Sequence, residues 1–243
     1  MAATPDEASI PPPVLLGDDS PLRRLPAALH RRQALALDGI SVSIDMTTVA
    51  YWQLRVALWR HGKASERATS WPLVLQAVTA AWSIVDDVHR IGVLVRRLPG
   101  LKRGPAVTAL LKAIDQVEAP RNAVQHLDGE IEELLDSGRP LWGSLSWVYM
   151  AAPDAKRLSV VLLLPGTLTP THGVPVVNPL GREIELPIGL ATLTAAGVTV
   201  CLSHVVTAVE RFSGRLEGAA ATAFAAIPAR TSEFVVRLDL PVD

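Results

Sequence analysis

At 243 residues the chain suits one or two domains, and with 49% of its residues apolar it holds ample material for a core. A net charge of −1 gives no general attraction to nucleic acid or to acidic membranes. A single cysteine, Cys201, excludes an intrachain disulfide and fits a reducing, cytoplasmic setting; inside its apolar run it reads as buried filler.

The N-terminal stretch MAATPDEASIPPP has neither a basic n-region nor an apolar h-region, so no secretory signal is expected. Residues 1–33 read as a flexible, Pro-rich leader: Pro11-Pro12-Pro13 favours extended, hydrated backbone, and Asp18-Asp19-Ser20-Pro21 is turn-like. Residues 34–44 suggest a strand or hairpin around Asp38-Gly39, because Ile40, Val42 and Ile44 alternate with small polar residues.

A helical bundle is expected within residues 34–139. Thr47 or Thr48 is placed to cap a first helix that runs to about His61. Ser70 caps a second, with Pro72 tolerated in its first turn, and Pro99-Gly100 stops it. Gly104-Pro105 opens a third, with Val107, Leu110, Leu111, Ile114 and Val117 on one face. Pro120 starts a fourth, with Val124, Leu127, Ile131 and Leu134 inward, and Ser137-Gly138 ends it. Short connections imply antiparallel packing. Trp52, Trp59, Trp71 and Trp82 read as bundle core.

From residue 140 the period changes to two, and residues 140–243 read as β-rich. Leu141, Gly143, Leu145, Trp147 and Tyr149 share a strand face; Trp142 and Trp147 fall on opposite faces, so one of them is expected against the bundle. Residues 158–164 suggest a buried strand. Residues 182–188 and 191–195 are further strand candidates, after a turn at Asn178-Pro179-Leu180-Gly181. Ser203 is placed to cap a helix near 204–217 with the stripe Val205, Val209, Phe212 and Leu216, and His204 falls in its first turn. Phe234, Val236 and Leu238 alternate as a last strand. The fold class is therefore α+β: an antiparallel helical bundle, then a β-rich half with one packed helix. Residues 186–209 lack Asp, Glu, Lys and Arg, but Pro187, Gly189, Gly197 and several Thr make that run buried strands leading into a helix, not a membrane span.

No dinucleotide or phosphate-loop glycine motif, HExxH, paired Cys/His metal spacing or GxSxG elbow occurs, so no cofactor or metal is expected. Nine Lys or Arg against three acids lie between positions 51 and 103, which reads as a solvated helix surface or a basic face. Asp86 and Arg90 are expected to form a surface pair at i,i+4, and His89 to face solvent.

The constellation with chemistry in it is Arg121-Asn122-x-x-x-His126. Arginine offers a fixed fork of donors to a phosphate, histidine exchanges a proton near neutral pH, and asparagine orients either. Asn122, His126 and Gly129 share a helical face, and a helix-interior glycine, about 1 kcal/mol worse than alanine, suggests a close approach there. In the second helix, Asp87 lies within the apolar stripe Ala80, Ile84, Ile91, Leu94, Leu98. A carboxylate there needs a partner, for which Arg121 or His126 is suited.

At this point the chain resembles the HEPN group of helical domains, whose nuclease members carry Arg-x(4–6)-His with a polar residue after the arginine. The resemblance covers roughly residues 47–137 and leaves out the β-rich half. Arg24 with His30 and Arg55 with His61 share the bare spacing; Asn122, the expected helix start and Asp87 set 121–126 apart. The resemblance implies metal-independent RNA cleavage in a site built between two copies of the chain. His126 would act on the ribose 2′-hydroxyl, Arg121 would hold the scissile phosphate, and Asn122 would position them. Against RNA stands the acidic run Asp128, Glu130, Glu132, Glu133 and Asp136. The competing expectation is a non-catalytic interaction or sensing module with a protein partner, in which Arg121, His126 and Asp87 form a structural network.

Overall fold

The computed structural model describes residues 10–63, 70–126, 140–149, 159–166 and 188–225, together with positions 132 and 136. Its elements in chain order are α1 (Arg31–Lys63), α2 (Trp71–Arg97), α3 (Pro105–Gln125), β1 (Ser144–Tyr149), β2 (Ser159–Leu163), β3 (Ile188–Ala195), β4 (Val198–Cys201) and α4 (Leu202–Phe224). The architecture is α+β, with three helices first, then a four-stranded antiparallel sheet and a closing helix.

The longest element, α1, replaces two expectations at once. Residues 34–44 are helical, not a strand or hairpin. Leu37, Ile40 and Ile44 recur at helical spacing and bury one face, which outweighs the Asp38-Gly39 turn signal. Gly39 is useful in the helix because a Cβ there would lie 2.9 Å from Leu94 of α2. Thr47 and Thr48 cap nothing. They lie mid-helix, and their hydroxyls donate back to the Ser43 and Ile44 carbonyls at 2.8 and 2.9 Å.

Residues 10–30, expected as part of a loose leader, pack instead. Ile10, Leu16, Leu22 and Leu25 join the core, each side chain of this size contributing about 1.5–3 kcal/mol when fully buried. Arg23 ties the segment to α1 through Asp45 at 2.6 Å, and Ser20 donates to Glu217 of α4 at 2.6 Å.

The α2 stripe is buried as expected through Ala80, Ile84, Asp87 and Ile91, with Leu94 and Leu98 partly covered. Of the four tryptophans read as bundle core, Trp59 is buried, Trp52 and Trp82 pack partly against it, and Trp71 is exposed at the first position of α2.

The sheet order is β2-β1-β3-β4. Central β1 is buried on both faces, its Leu145, Trp147 and Tyr149 joining the core, while β2 at the edge is buried only in part, exposed at Ser159 and Val160 and reaching the core at Leu163. Gly143, at φ +71, leads into β1; a Cβ there would strike the Thr194 carbonyl of β3. Trp147 meets the bundle through its side chain, with its ring centroid 6.2 Å from that of His61 in α1, whereas the exposed Trp142 meets it through its carbonyl, which accepts from Trp82 Nε1 of α2 at 3.3 Å.

The α4 stripe Val205, Val209, Phe212 and Leu216 is buried, and it packs on α3, β3 and α1. One hydrophobic core therefore runs from the bundle through the sheet. The α4 N-cap is Cys201, not Ser203. Ser203 instead accepts from the Tyr51 hydroxyl at 3.0 Å and from the Ala191 backbone N–H at 2.9 Å, which stitches α1, β3 and α4 together. No helix among the described residues is long and apolar enough to cross a membrane. The candidate strands at 182–187 and 234–238 lie outside the described residues.

Candidate functional site

Arg121, Asn122 and His126 lie at the end of a helix, not at the start of one. Pro120, expected to open a fourth helix, is inside α3. Proline removes one backbone hydrogen bond and crowds the preceding turn. Here Pro120 is buried beside Val117 on the packed face, so tertiary contact carries the helix through it. His126 is the C-cap, and its backbone N–H donates to the Asn122 carbonyl at 3.0 Å. The side chains of Asn122 and His126 are exposed. Position 129 and most of the acidic run lie outside the described residues; Glu132 and Asp136 are exposed.

The carboxylate that meets Arg121 is Asp86, not Asp87. Arg121 Nε donates to Asp86 Oδ1 at 3.0 Å, and the two side chains are 21% and 42% exposed. Asp87 is 2% exposed and accepts from Arg90 Nη1 at 2.6 Å, so the expected Asp86–Arg90 pair is displaced by an i,i+3 pair one residue along. Burial pushes the Asp87 carboxyl up to about 6; the charge of Arg90 and its hydrogen bond pull the other way, and Asp86 adds to the rise. Adjacent residues on a helix point about 100° apart. That rotation sends Asp87 inward to Arg90 and leaves Asp86 at the α2–α3 seam.

Two further groups belong to this seam. Arg96 bridges Glu118 at 2.9 Å and Asp115 at 2.8 Å. His89, expected in solvent, is half-buried, with a buried Nδ1 that has no partner. Burial lowers the pKa of its imidazole, the Arg121 charge lowers it further, and Glu118 opposes both. His89 lies one turn beyond Asp86, so the two share a face of α2. That i,i+3 spacing was the available sequence signal for both residues.

Among the described residues no continuous basic face surrounds the group. Arg90 and Arg96 are held by carboxylates, and Lys63 sits over the Trp59 ring at 4.2 Å. Arg97 is exposed at the far end of α2, about 16 Å along the helix from Asp86, and Lys102 and Arg103 are exposed in the connection beyond it. Among the described residues no group of three or more His, Cys, Asp or Glu could hold a metal ion. Cys201 is half-buried, and burial pushes its thiol up. His204 is exposed in the first turn of α4.

The chain matches no family model, no curated protein and no solved structure. Asp86 grips one edge of the Arg121 guanidinium, at Nε. Among the described residues the terminal amino groups of Arg121 meet no carboxylate, and the side chain is 21% exposed. The arrangement presents an oriented guanidinium, with an exposed amide and an exposed imidazole on the same final turn of α3.

Proposed function

We propose that the protein is a metal-independent RNA endonuclease of HEPN type, with Arg121, Asn122 and His126 as its working groups. The observation that carries this reading is that Arg121 is held at Nε by Asp86 while Asn122 and His126 stay open to solvent. A nuclease site must be open, whereas a purely structural network is enclosed and fully hydrogen-bonded.

In this reading His126 takes the proton from a ribose 2′-hydroxyl, and the 2′-oxygen attacks the adjacent phosphorus. The bond from phosphorus to the 5′-oxygen breaks, and solvent protonates the leaving oxygen. The products are a 2′,3′-cyclic phosphate and a 5′-hydroxyl. Arg121 holds the phosphate through its terminal amino groups, and Asn122 positions phosphate and imidazole. A second copy of the chain would enclose the exposed end of α3 and supply a second set of these groups.

One observation favours the non-catalytic alternative. The Asp86–Arg121 contact and the Arg96 bridges to Asp115 and Glu118 together lace α2 to α3, so this polar seam has a structural use without any substrate.

RNA cleavage by the purified protein in EDTA separates the two, with Arg121→Ala and His126→Ala alongside and thermal melts on all three. The nuclease reading expects the wild type to cut and both folded variants to be inactive. If the wild type does not cut, or if His126→Ala cuts as fast, that reading is overturned and the seam is architectural.

A further inference from the structure

A second feature lies away from the Arg121 seam. The polar faces of α1 and α4 separate beneath residues 11–17 and leave a cleft of about 460 Å³. That volume falls within the roughly 300–1,000 Å³ range of small-molecule sites. The segment over it is fixed at both ends. Ile10 and Leu16 are buried, and the Leu16 N–H donates to Asp45 at 2.9 Å. Pro11-Pro12-Pro13 between them is a stiff span with little conformational freedom to lose on binding.

Arg55 is the group that needs explaining. Arg23, Arg90, Arg96 and Arg121 each meet a carboxylate. Arg55 is half-buried, lines the cleft, and meets none among the described residues. Its Nε is buried without an acceptor, and its one described contact is over the Tyr51 ring at 5.9 Å. An unpaired cation in such a place is costly unless an anion joins it.

Two other donors line the cleft, one on each side. Trp52, three positions before Arg55 on the same face of α1, has a buried indole N–H with no acceptor. Across the cleft, Ser213 of α4 is only 8% exposed, and its hydroxyl makes no hydrogen bond among the described residues. Two residues of the α1 wall thus hold buried donors without acceptors, and Ser213 faces them with a hydroxyl, a setting that suits a ligand bringing an acceptor.

The remaining charges narrow its class. At the other end of the cleft Asp45 is neutralised by Arg23, and Glu217 accepts from Ser20. One unpaired guanidinium therefore faces walls that also carry the Glu210 and Glu217 carboxylates. A phosphate with nearly two charges would be repelled by them, whereas a single carboxylate matches one guanidinium fork. Tyr51, Trp52 and the proline span supply walls for an apolar body.

Gly214 fits the same account. A glycine within a helix is about 1 kcal/mol worse than alanine, yet a Cβ at this position would meet no atom within 4 Å. No packing among the described residues requires it, and its missing side chain keeps the cleft open.

We propose that this cleft binds a small monocarboxylate with an aromatic or aliphatic body, its carboxylate paired with Arg55 and bonded by Ser213. The full chain would be titrated with phenylacetate, 3-phenylpropionate and hexanoate, with 3-phenylpropanamide and inorganic phosphate as controls. Tryptophan fluorescence and thermal melts would be read together. At least one carboxylate should bind saturably and raise the melting temperature, and neither control should.

Arg55→Gln should weaken binding by at least about tenfold, the loss expected for a charged hydrogen-bonded pair. Gly214→Leu, which gains helix propensity and fills open space, should remain folded and lose binding. The proposal is overturned if none of the three carboxylates binds at millimolar concentration. It is equally overturned if the amide or phosphate binds as well as the acid, or if folded Gly214→Leu binds like the wild type. None of these variants touches Arg121 or His126, so cleft binding and RNA cleavage stand or fall separately.

Discussion

Arg121 of α3 donates through Nε to Asp86 of α2 at 3.0 Å, and the contact is half open to solvent. Exposed and half-exposed ion pairs contribute about 0–1 kcal/mol, so this one does little for stability. A double-mutant cycle on Asp86→Ala and Arg121→Ala, followed by urea denaturation, should give a coupling below about 1 kcal/mol. A much larger coupling would mean that the seam is a principal structural tie, and would count against a catalytic Arg121. If the nuclease reading holds, Asp86→Ala should also slow RNA cleavage, because the guanidinium loses its anchor.

Asp87 should make stability depend on pH in its own direction. Its folded carboxyl titrates at about 6, above the unfolded value of 3.8. For an acid raised in this way the stabilising contribution is full below the unfolded value and is lost as pH rises through 6. The difference in unfolding free energy between wild type and Asp87→Asn should therefore fall from about pH 4 to about pH 6 and stay flat above. The total change should be no more than about 3 kcal/mol. A flat difference over that window would contradict the burial of Asp87.

His61 should act in the opposite sense. It is buried against Trp147, and burial holds its pKa below 6.5, with a hydrogen bond to the Leu73 backbone opposing. A histidine lowered in this way takes up its proton at lower pH in the folded chain than in the unfolded one. Its contribution is full above the unfolded pKa and is lost as pH falls below 6.5. His61→Phe should remove that part of the acid destabilisation, measured as a smaller drop in melting temperature between pH 7 and pH 5.5. An unchanged drop would show that His61 does not titrate across the folding transition.

Two glycine-to-alanine substitutions should have opposite signs. At Gly92 of α2 a Cβ would lie 2.6 Å from Ile114 Cγ2 of α3, and Ile114 is fully buried with little room to retreat. Gly92→Ala should destabilise the protein by about 1–3 kcal/mol, the usual range for overpacking. Gly214→Ala adds a Cβ in open space and should stabilise α4 by up to about 1 kcal/mol. A urea midpoint that rises for Gly92→Ala would contradict the close α2–α3 approach, and one that falls for Gly214→Ala would contradict open space at that position.

Sequence alone determined the α+β class, the α2 stripe, the apolar face of α3, the change of period near residue 140 and the buried face of α4. Each rests on hydrophobic spacing repeated over two or more turns or strand pairs, a signal carried by the local chain. It also singled out Arg121, Asn122 and His126 by residue type.

Tertiary structure decided what single residues do where local signals conflict. Asp38-Gly39 and Pro120 are breakers in isolation, but the apolar faces beside them are buried, and that burial carries α1 and α3 through. Thr47, Thr48 and Ser203 are competent caps that became mid-helix or cross-linking hydroxyls once neighbouring elements set the helix starts elsewhere. Asp86 and Asp87 are the same residue type one position apart, and only the rotation of α2 against α3 makes one the partner of Arg121 and buries the other with Arg90. The cleft around Arg55 joins positions 11–17, 44–55 and 207–217, which no local pattern connects, because it exists only where α1 and α4 part.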